Sequence, residues 1–175
     1  MSAAAIADAP TAPSAPRWLV VTLIFVAAVE TINAITDVPG IFYRYNHPTA
    51  LLDVAQALVR AKLVLAVPLA AAALVFAARG QLRIAIALLA ALVIMRWALD
   101  VPTSWMVHGF ELSGGLPGFV VFAQQFLYPL IGLGALALAW RNQRLGLATL
   151  LVSLSLLAGA AMIAGFAIGV AIYGF

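Results

Sequence analysis

Polar and charged residues recur at helical spacing inside apolar segments that are long enough to cross a membrane. In the first such segment, Glu30, Asn33 and Asp37 stand at i, i+3 and i+7, so all three share one helix face. In the third segment, Arg96 and Asp100 share a face at i and i+4. Charged side chains are costly inside a bilayer, so they face the bundle interior and pair there. The chemistry that these residues can offer is ion pairing, ligand binding or proton exchange.

The composition indicates an integral membrane protein. The chain has 175 residues, 66% hydrophobic and 9% charged, with a mean hydropathy of +1.13, whereas a soluble domain carries about 25% charged residues. The apolar runs are continuous and rich in Ala, Leu and Val, which favours helices over a β-barrel. Lys and Arg are scattered, so the net charge of +3 does not indicate a nucleic-acid partner. The chain has no cysteine, which excludes disulfides, thiolate metal sites and cysteine nucleophiles.

Five apolar segments have the length of about 20 residues that a membrane-spanning helix needs. The sequence therefore predicts an all-α, polytopic membrane protein with a bundle of five transmembrane helices. The predicted segments are Trp18 to about Val38, Leu51–Ala78, Leu82 to about Met106, Gly118–Trp140 and Leu145 to about Tyr173. Residues 1–16 are rich in Ala, Pro and Ser and are predicted to form a disordered tail. Residues 17–175 are predicted to form a single transmembrane domain.

Short basic loops predict the orientation of the chain. Five arginines fall on one side of a five-helix bundle: Arg17, Arg79, Arg83, Arg141 and Arg144. The positive-inside rule places that side in the cytoplasm, with the N-terminus inside and the C-terminus outside. We expect a multi-pass protein of the cell membrane, specifically a bacterial inner membrane.

The same arginines measure depth, because a helix rises about 1.5 Å per residue. Glu30 lies 13 residues beyond Arg17, and Arg96 lies 13 residues beyond Arg83, so both are about 20 Å into a core about 30 Å thick. By this measure of depth, polar residues of four helices lie at one level in the outer half of the bilayer. We call this level the polar tier, and its residues are Glu30, Asn33, Asp37, Arg60, Lys62, Arg96, Asp100 and Gln124. Equal depth predicts an ion pair between Glu30 and Arg96. Asp37 and Asp100 are then expected to pair with Arg60 and Lys62.

Three further features remain open. Gln124 and Gln125 differ by 100° around their helix, so one is expected to face the polar tier and the other a neighbouring helix. His47 and His108 lie in predicted outer loops, outside the helices where a bis-histidine haem would need them. A surface copper site that uses Met106 and His108 is the alternative to simple loop polarity, but two histidines without cysteine are a thin ligand set, so no metal site is assigned and the cofactor is left open. Ala161, Gly165 and Gly169 form a ridge of small residues that either packs within the bundle or contacts a second copy or a partner in a membrane complex.

Three functions are compatible with these features. The first is a non-enzymatic accessory or assembly subunit of a membrane complex, supported by the small size and by the small-residue ridge. The second is a small-molecule-binding or carrier protein with a polar pocket that faces the periplasm. This function requires the polar tier to be a pocket, and the alternative is that the tier is only a structural ion-pair network. The third is a lipid- or quinone-linked membrane enzyme. No phosphate loop, dinucleotide fingerprint or Ser/His/Asp arrangement is recognisable, which favours a role other than catalysis.

Overall fold

The protein is built from helices. The computed structural model describes residues 16–42, 50–108 and 115–174, and all regular structure in them is helical. The helices are α1 (Arg17–Thr36), α2 (Ala50–Ala78), α3 (Leu82–His108), α4 (Gly115–Trp140) and α5 (Leu145–Tyr173), with a short 3₁₀ helix at Val38–Phe42. The predicted all-α class is confirmed. The predicted tail up to residue 15, His47, and the side chains of His108 and Gln124 lie outside the described residues.

Three of the described helices have the length and apolar composition of membrane-spanning segments. Three stretches are long and apolar enough to cross a bilayer: Arg17–Phe42, Leu51–Ala78 and Leu82–Val107. The described parts of α4 and α5 add shorter apolar stretches, Gln125–Trp140 and Leu145–Ala158. Large apolar side chains also cover the outside of the bundle, including those of Val21, Phe25, Val64, Leu130 and Leu154. Such a surface suits lipid and not water.

Helix α3 lies at the centre of the bundle. The helices make contact in the order α1, α2, α3, α4 and α5, with α5 returning to α1, and α3 contacts each of the other four. The α2 residues in the buried core cluster are all alanines: Ala66, Ala70, Ala73 and Ala77. Small residues at this spacing let two helices approach closely. On α3 the core residues are larger and include Ile86, Leu89 and Leu92.

The two basic hairpins are tight because each helix before them ends in the same way. After α2, Gly80 adopts a left-handed conformation with φ of 72°, and Gln81 N–H donates to the carbonyl of Phe76. After α4, Asn142 adopts φ of 54°, and Gln143 N–H donates to the carbonyl of Leu138. Both are Schellman motifs, in which a left-handed residue lets the chain reverse while the last carbonyls stay paired.

Five arginines at helix termini lie together at one end of the bundle, called the arginine end. They stand where α1, α3 and α5 begin and where α2 and α4 end: Arg17, Arg79, Arg83, Arg141 and Arg144. Two contacts join these termini. Arg83 donates from Nε to the carbonyl of Ala139 at 3.1 Å and from Nη2 to that of Trp140 at 2.9 Å, so it caps the C-terminus of α4. At the start of α5, Gly146 lies against the ring of Trp18.

Candidate functional site

Glu30 and Arg96 form an ion pair across the bundle. Glu30 is fully buried, and it is the only acidic or basic residue classed as buried in the described part of the chain. Arg96 Nη1 lies 2.6 Å from Glu30 Oε2 and so joins α3 to α1. The pairing that equal depth predicts is therefore present in the structure. It neutralises a carboxylate that hydrocarbon could not otherwise accommodate.

The pair does not satisfy the hydrogen-bonding capacity of Glu30. Arg96 and Asn33 both lie within hydrogen-bonding reach of Glu30, but by strict hydrogen-bond geometry neither carboxylate oxygen has a donor among the described residues. A buried acceptor without a donor is costly, because burial removes its hydrogen bonds to water and no hydrogen bond within the protein replaces them. The site is consequently not a fully satisfied polar network.

A second ion pair lies one helical turn further along α3. Lys62 Nζ contacts Asp100 Oδ1 at 2.5 Å, with the two side chains 26% and 48% exposed. The tier's other pairing does not occur. Arg60 donates from Nε to the backbone carbonyl of Ile41 and so holds the 3₁₀ helix against α2, while Asp37 is exposed at the end of α1 and makes no ion pair within the described residues. Arg60 and Asp37 were expected at a similar depth. In the structure, the 3₁₀ helix that follows α1 packs on α2, and its Ile41 carbonyl takes the position beside Arg60.

Helices α3 and α4 are joined beside these pairs by a hydrogen bond from a side chain to the backbone. Pro129 has no N–H, so it leaves the carbonyl of Gln125, four residues earlier, without its helical partner. Trp97 Nε1 donates to that carbonyl at 2.5 Å. The indole of α3 therefore satisfies the acceptor that a proline in α4 exposes.

A cavity of about 330 Å³ opens between α3, α4 and α5 at this level. Its polar lining consists of Arg96, Asp100, Ser104, Gln125, Tyr128 and Ser155. Val93, Val101 and Leu156 contribute apolar walls. The volume falls at the lower end of the range of about 300–1,000 Å³ that is typical of small-molecule sites, and mostly apolar walls with a few polar groups are typical as well. We call it the tier cavity.

The tier cavity contains only part of the predicted tier. Arg96 and Asp100 line it, while their partners Glu30 and Lys62 approach from α1 and α2. Asn33 is half-buried on α1 and does not line the cavity.

Tyr128 and Ser155 were not anticipated from the sequence. The signal that could have found Tyr128 is its spacing of three residues from Gln125, which puts both on one face of α4. Ser155 had no such signal, because its helix is apolar on all sides.

The ridge on α5 lies largely on the surface. Ala161 is exposed, and a methyl group built on Gly165 or Gly169 would meet no atom within 4 Å among the described residues. The described contacts therefore give the ridge no packing role inside the bundle. Within residues 16–42, 50–108 and 115–174, no three His, Asp or Glu side chains gather as metal ligands.

No known family model, curated protein or solved structure matches this chain. The function is therefore inferred from the geometry of the site itself.

Proposed function

We propose that this protein is a five-span membrane protein whose tier cavity binds a small amphipathic molecule. The observation that carries the proposal is the position of Arg96, which pairs with buried Glu30 of α1 and also lines the tier cavity between α3, α4 and α5. A guanidinium inside apolar walls is an unusual arrangement for packing alone, because each of its N–H groups needs an acceptor.

The lining defines the chemistry of the ligand. Arg96 and the Tyr128 hydroxyl offer hydrogen-bond donors, and the Gln125 side chain offers both a donor and an acceptor. The four charged groups of the two ion pairs sum to zero, so a strongly charged ligand has no surplus charge to bind. A molecule with an apolar body and one uncharged carbonyl head fits both features. Lipid-like and quinone-like molecules belong to this class.

The proposed topology places the tier cavity toward the outside of the cell. The arginine end marks the cytoplasmic side by the positive-inside rule, and Glu30 and Arg96 lie about 20 Å from it. With five spans, the N-terminus is cytoplasmic, the C-terminus is periplasmic, and the tier cavity lies in the outer half of a bacterial inner membrane. Ligand then enters from the periplasm or from the outer leaflet.

A pair of single cysteines tests whether the tier cavity is open. Ser155 and Ser153 lie on α5, both are 7% exposed, and replacing serine with cysteine changes the side chain little. Ser155 lines the tier cavity and Ser153 does not. Because the chain has no native cysteine, each variant carries one thiol.

We expect a membrane-impermeant maleimide added to the periplasmic face to label Ser155→Cys and to leave Ser153→Cys unlabelled. Labelling is measured by the mass shift of the purified protein. An unreactive thiol at position 155 in a folded protein would contradict an outward-open cavity and would return the tier to a structural role. Mass spectrometry of protein extracted in mild detergent then identifies the co-purifying small molecule.

The second candidate function is an accessory or assembly subunit of a membrane complex. It is favoured by the small-residue ridge on α5, which is exposed at Ala161 and where no atom of the described residues lies within 4 Å of a Cβ built on Gly165 or Gly169. Ridges of this type let a second helix approach closely in the membrane. Gly165→Leu and Gly169→Leu would block that approach. A stoichiometric partner that co-purifies with the wild-type protein and is lost from these variants would support this function.

A further inference from the structure

A second cavity lies at the opposite end of the molecule from the tier cavity. It has a volume of about 660 Å³ and is formed where α3 begins, α4 ends and α5 begins. Polar groups of the two basic hairpins lie at its mouth: Gln81, Arg83, Trp140 and Asn142. Apolar side chains continue from there along the helices: Ile84, Ala87, Leu88, Leu136 and Leu145. We call it the arginine groove.

Arg83 is held in a fixed position at the mouth of the arginine groove. Its Nε and Nη2 atoms donate to the carbonyls of Ala139 and Trp140. A guanidinium has five N–H groups, so three remain for another acceptor. A guanidinium already immobilised by two hydrogen bonds loses little conformational entropy when it binds an anion.

The positive charge around the arginine groove has no acidic partner nearby in the sequence. Arg79, Arg141 and Arg144 surround Arg83 in the same two hairpins. The chain contains no Asp or Glu from residue 54 to 99, nor from residue 112 to its end. The ion-paired acids that the structure describes, Glu30 and Asp100, lie at the level of the tier cavity. Among the described residues, therefore, no acid offers a countercharge at the groove, and a bound anion would meet arginines without an ion-pair partner there.

The position in the bilayer indicates what that anion is. Trp140 is 81% exposed at the mouth, as expected of an aromatic side chain at the headgroup level. Leu88 lies five residues beyond Arg83, which is about 7.5 Å deeper along α3. The groove thus presents cationic and hydrogen-bonding groups at headgroup level and an apolar channel below them.

We propose that the arginine groove binds an anionic phospholipid, with its phosphate on Arg83 and one acyl chain along Leu88 and Leu136. Basic pockets between membrane helices on the cytoplasmic side are a known means of holding anionic headgroups. A zwitterionic phospholipid carries the same phosphate but no net charge, so the surplus of arginines selects against it. The bound lipid joins α3 to α4 and α5 and stabilises the arginine end of the bundle.

The test compares lipid binding to the full-length protein in a neutral detergent. Phosphatidylglycerol and phosphatidylcholine with identical acyl chains are titrated in, and binding is measured by native mass spectrometry and by the rise in Tm. We expect phosphatidylglycerol to bind and to raise Tm, and phosphatidylcholine to bind at least about tenfold more weakly, because its choline cation cancels the phosphate charge that the arginines attract.

Three variants distinguish the groove from a diffuse charge effect. Arg83→Gln removes the phosphate ligand, and Ala87→Phe fills the apolar channel without changing charge. Both should weaken phosphatidylglycerol binding by about tenfold. Arg79→Gln removes the same charge from the same end but does not line the groove, so it should weaken phosphatidylglycerol binding clearly less than Arg83→Gln does.

If Arg83→Gln fails to fold because α4 loses its cap, Ala87→Phe decides the question alone. Equal binding of the two lipids, or wild-type binding of phosphatidylglycerol by Ala87→Phe, would overturn the proposal. Neither result bears on the tier cavity.

Discussion

Trp97 donates its indole N–H to the backbone carbonyl of Gln125, which is the carbonyl that Pro129 leaves without a helical donor. A proline inside a helix normally costs stability through this lost hydrogen bond. Here the bond is replaced by one from the neighbouring helix, so the proline becomes a point of attachment between α3 and α4. Both Trp97 and Gln125 also line the tier cavity, so the same contact fixes the position of its wall.

Removing the indole donor of Trp97 should destabilise the protein more when Pro129 is present than when it is replaced. Trp97→Phe leaves the Gln125 carbonyl unpaired and should lower the free energy of unfolding by about 1–3 kcal/mol. In a Pro129→Ala background, the N–H of Ala at position 129 can pair with that carbonyl, so the same change should cost clearly less. Unfolding in detergent micelles measures both. Trp140→Phe, at an exposed position, is the control. Equal costs in the two backgrounds would show that the carbonyl does not couple these residues.

Replacing Arg96 should destabilise the protein more than replacing its ion-pair partner Glu30. Arg96→Gln leaves a carboxylate charged and fully buried, and it should cost about 3 kcal/mol or more. Glu30→Gln leaves a guanidinium that is 27% exposed, so its cost should be smaller. The double variant should recover much of the loss. Lys62→Gln and Asp100→Asn, at a half-exposed pair, should each cost less than about 1 kcal/mol. Losses that add strictly in thermal unfolding would rule out coupling of Glu30 with Arg96.

The sequence was sufficient to predict which residues share a level. Helix rise is constant, so counting from the loop arginines brought Glu30 to the depth of Arg96 and Lys62 to that of Asp100. Both pairs are present in the structure. The helices also begin and end close to the predicted bounds, because glycine, proline and the basic loops mark those ends.

Rotation about the helix axis could not be predicted in the same way. The helices are apolar on most sides, so the pattern does not fix which face of α4 turns toward α3. This is why Tyr128 and Ser155 were missed as lining residues and why Gln124 and Gln125 were left undecided; Gln125 lines the tier cavity. Arg60 was misplaced for a related reason, because its partner is the backbone of a short 3₁₀ helix that carries no charge pattern.

Reporter fusions should establish the proposed topology. A reporter placed after Phe175 is expected to read as periplasmic, and one inserted between Gln81 and Leu82 as cytoplasmic, because the arginine end faces the cytoplasm. Alkaline phosphatase and a fluorescent protein, active on opposite sides, provide paired measurements at each position. A cytoplasmic C-terminus would remove one span from the proposal and would place the tier cavity at a different depth.

Gly132 lies where α3 and α4 approach closely, so a side chain there should destabilise the protein. Gly165 has no such contact among the described residues. A Cβ on Gly132 would lie 2.7 Å from Ile94 Cγ1, whereas a Cβ on Gly165 would meet no atom within 4 Å among the described residues. Gly132→Ala should therefore destabilise the protein by about 1–3 kcal/mol, the usual cost of overpacking. Gly165→Ala should be neutral or stabilising by up to about 1 kcal/mol through helix propensity. Adding Ile94→Ala to Gly132→Ala removes the clashing atom, so the two changes should cost less together than the sum of their separate costs in thermal unfolding. If Gly132→Ala is as stable as Gly165→Ala, α3 and α4 do not pack at the distance that the structure shows, and the tier cavity between them has a different shape.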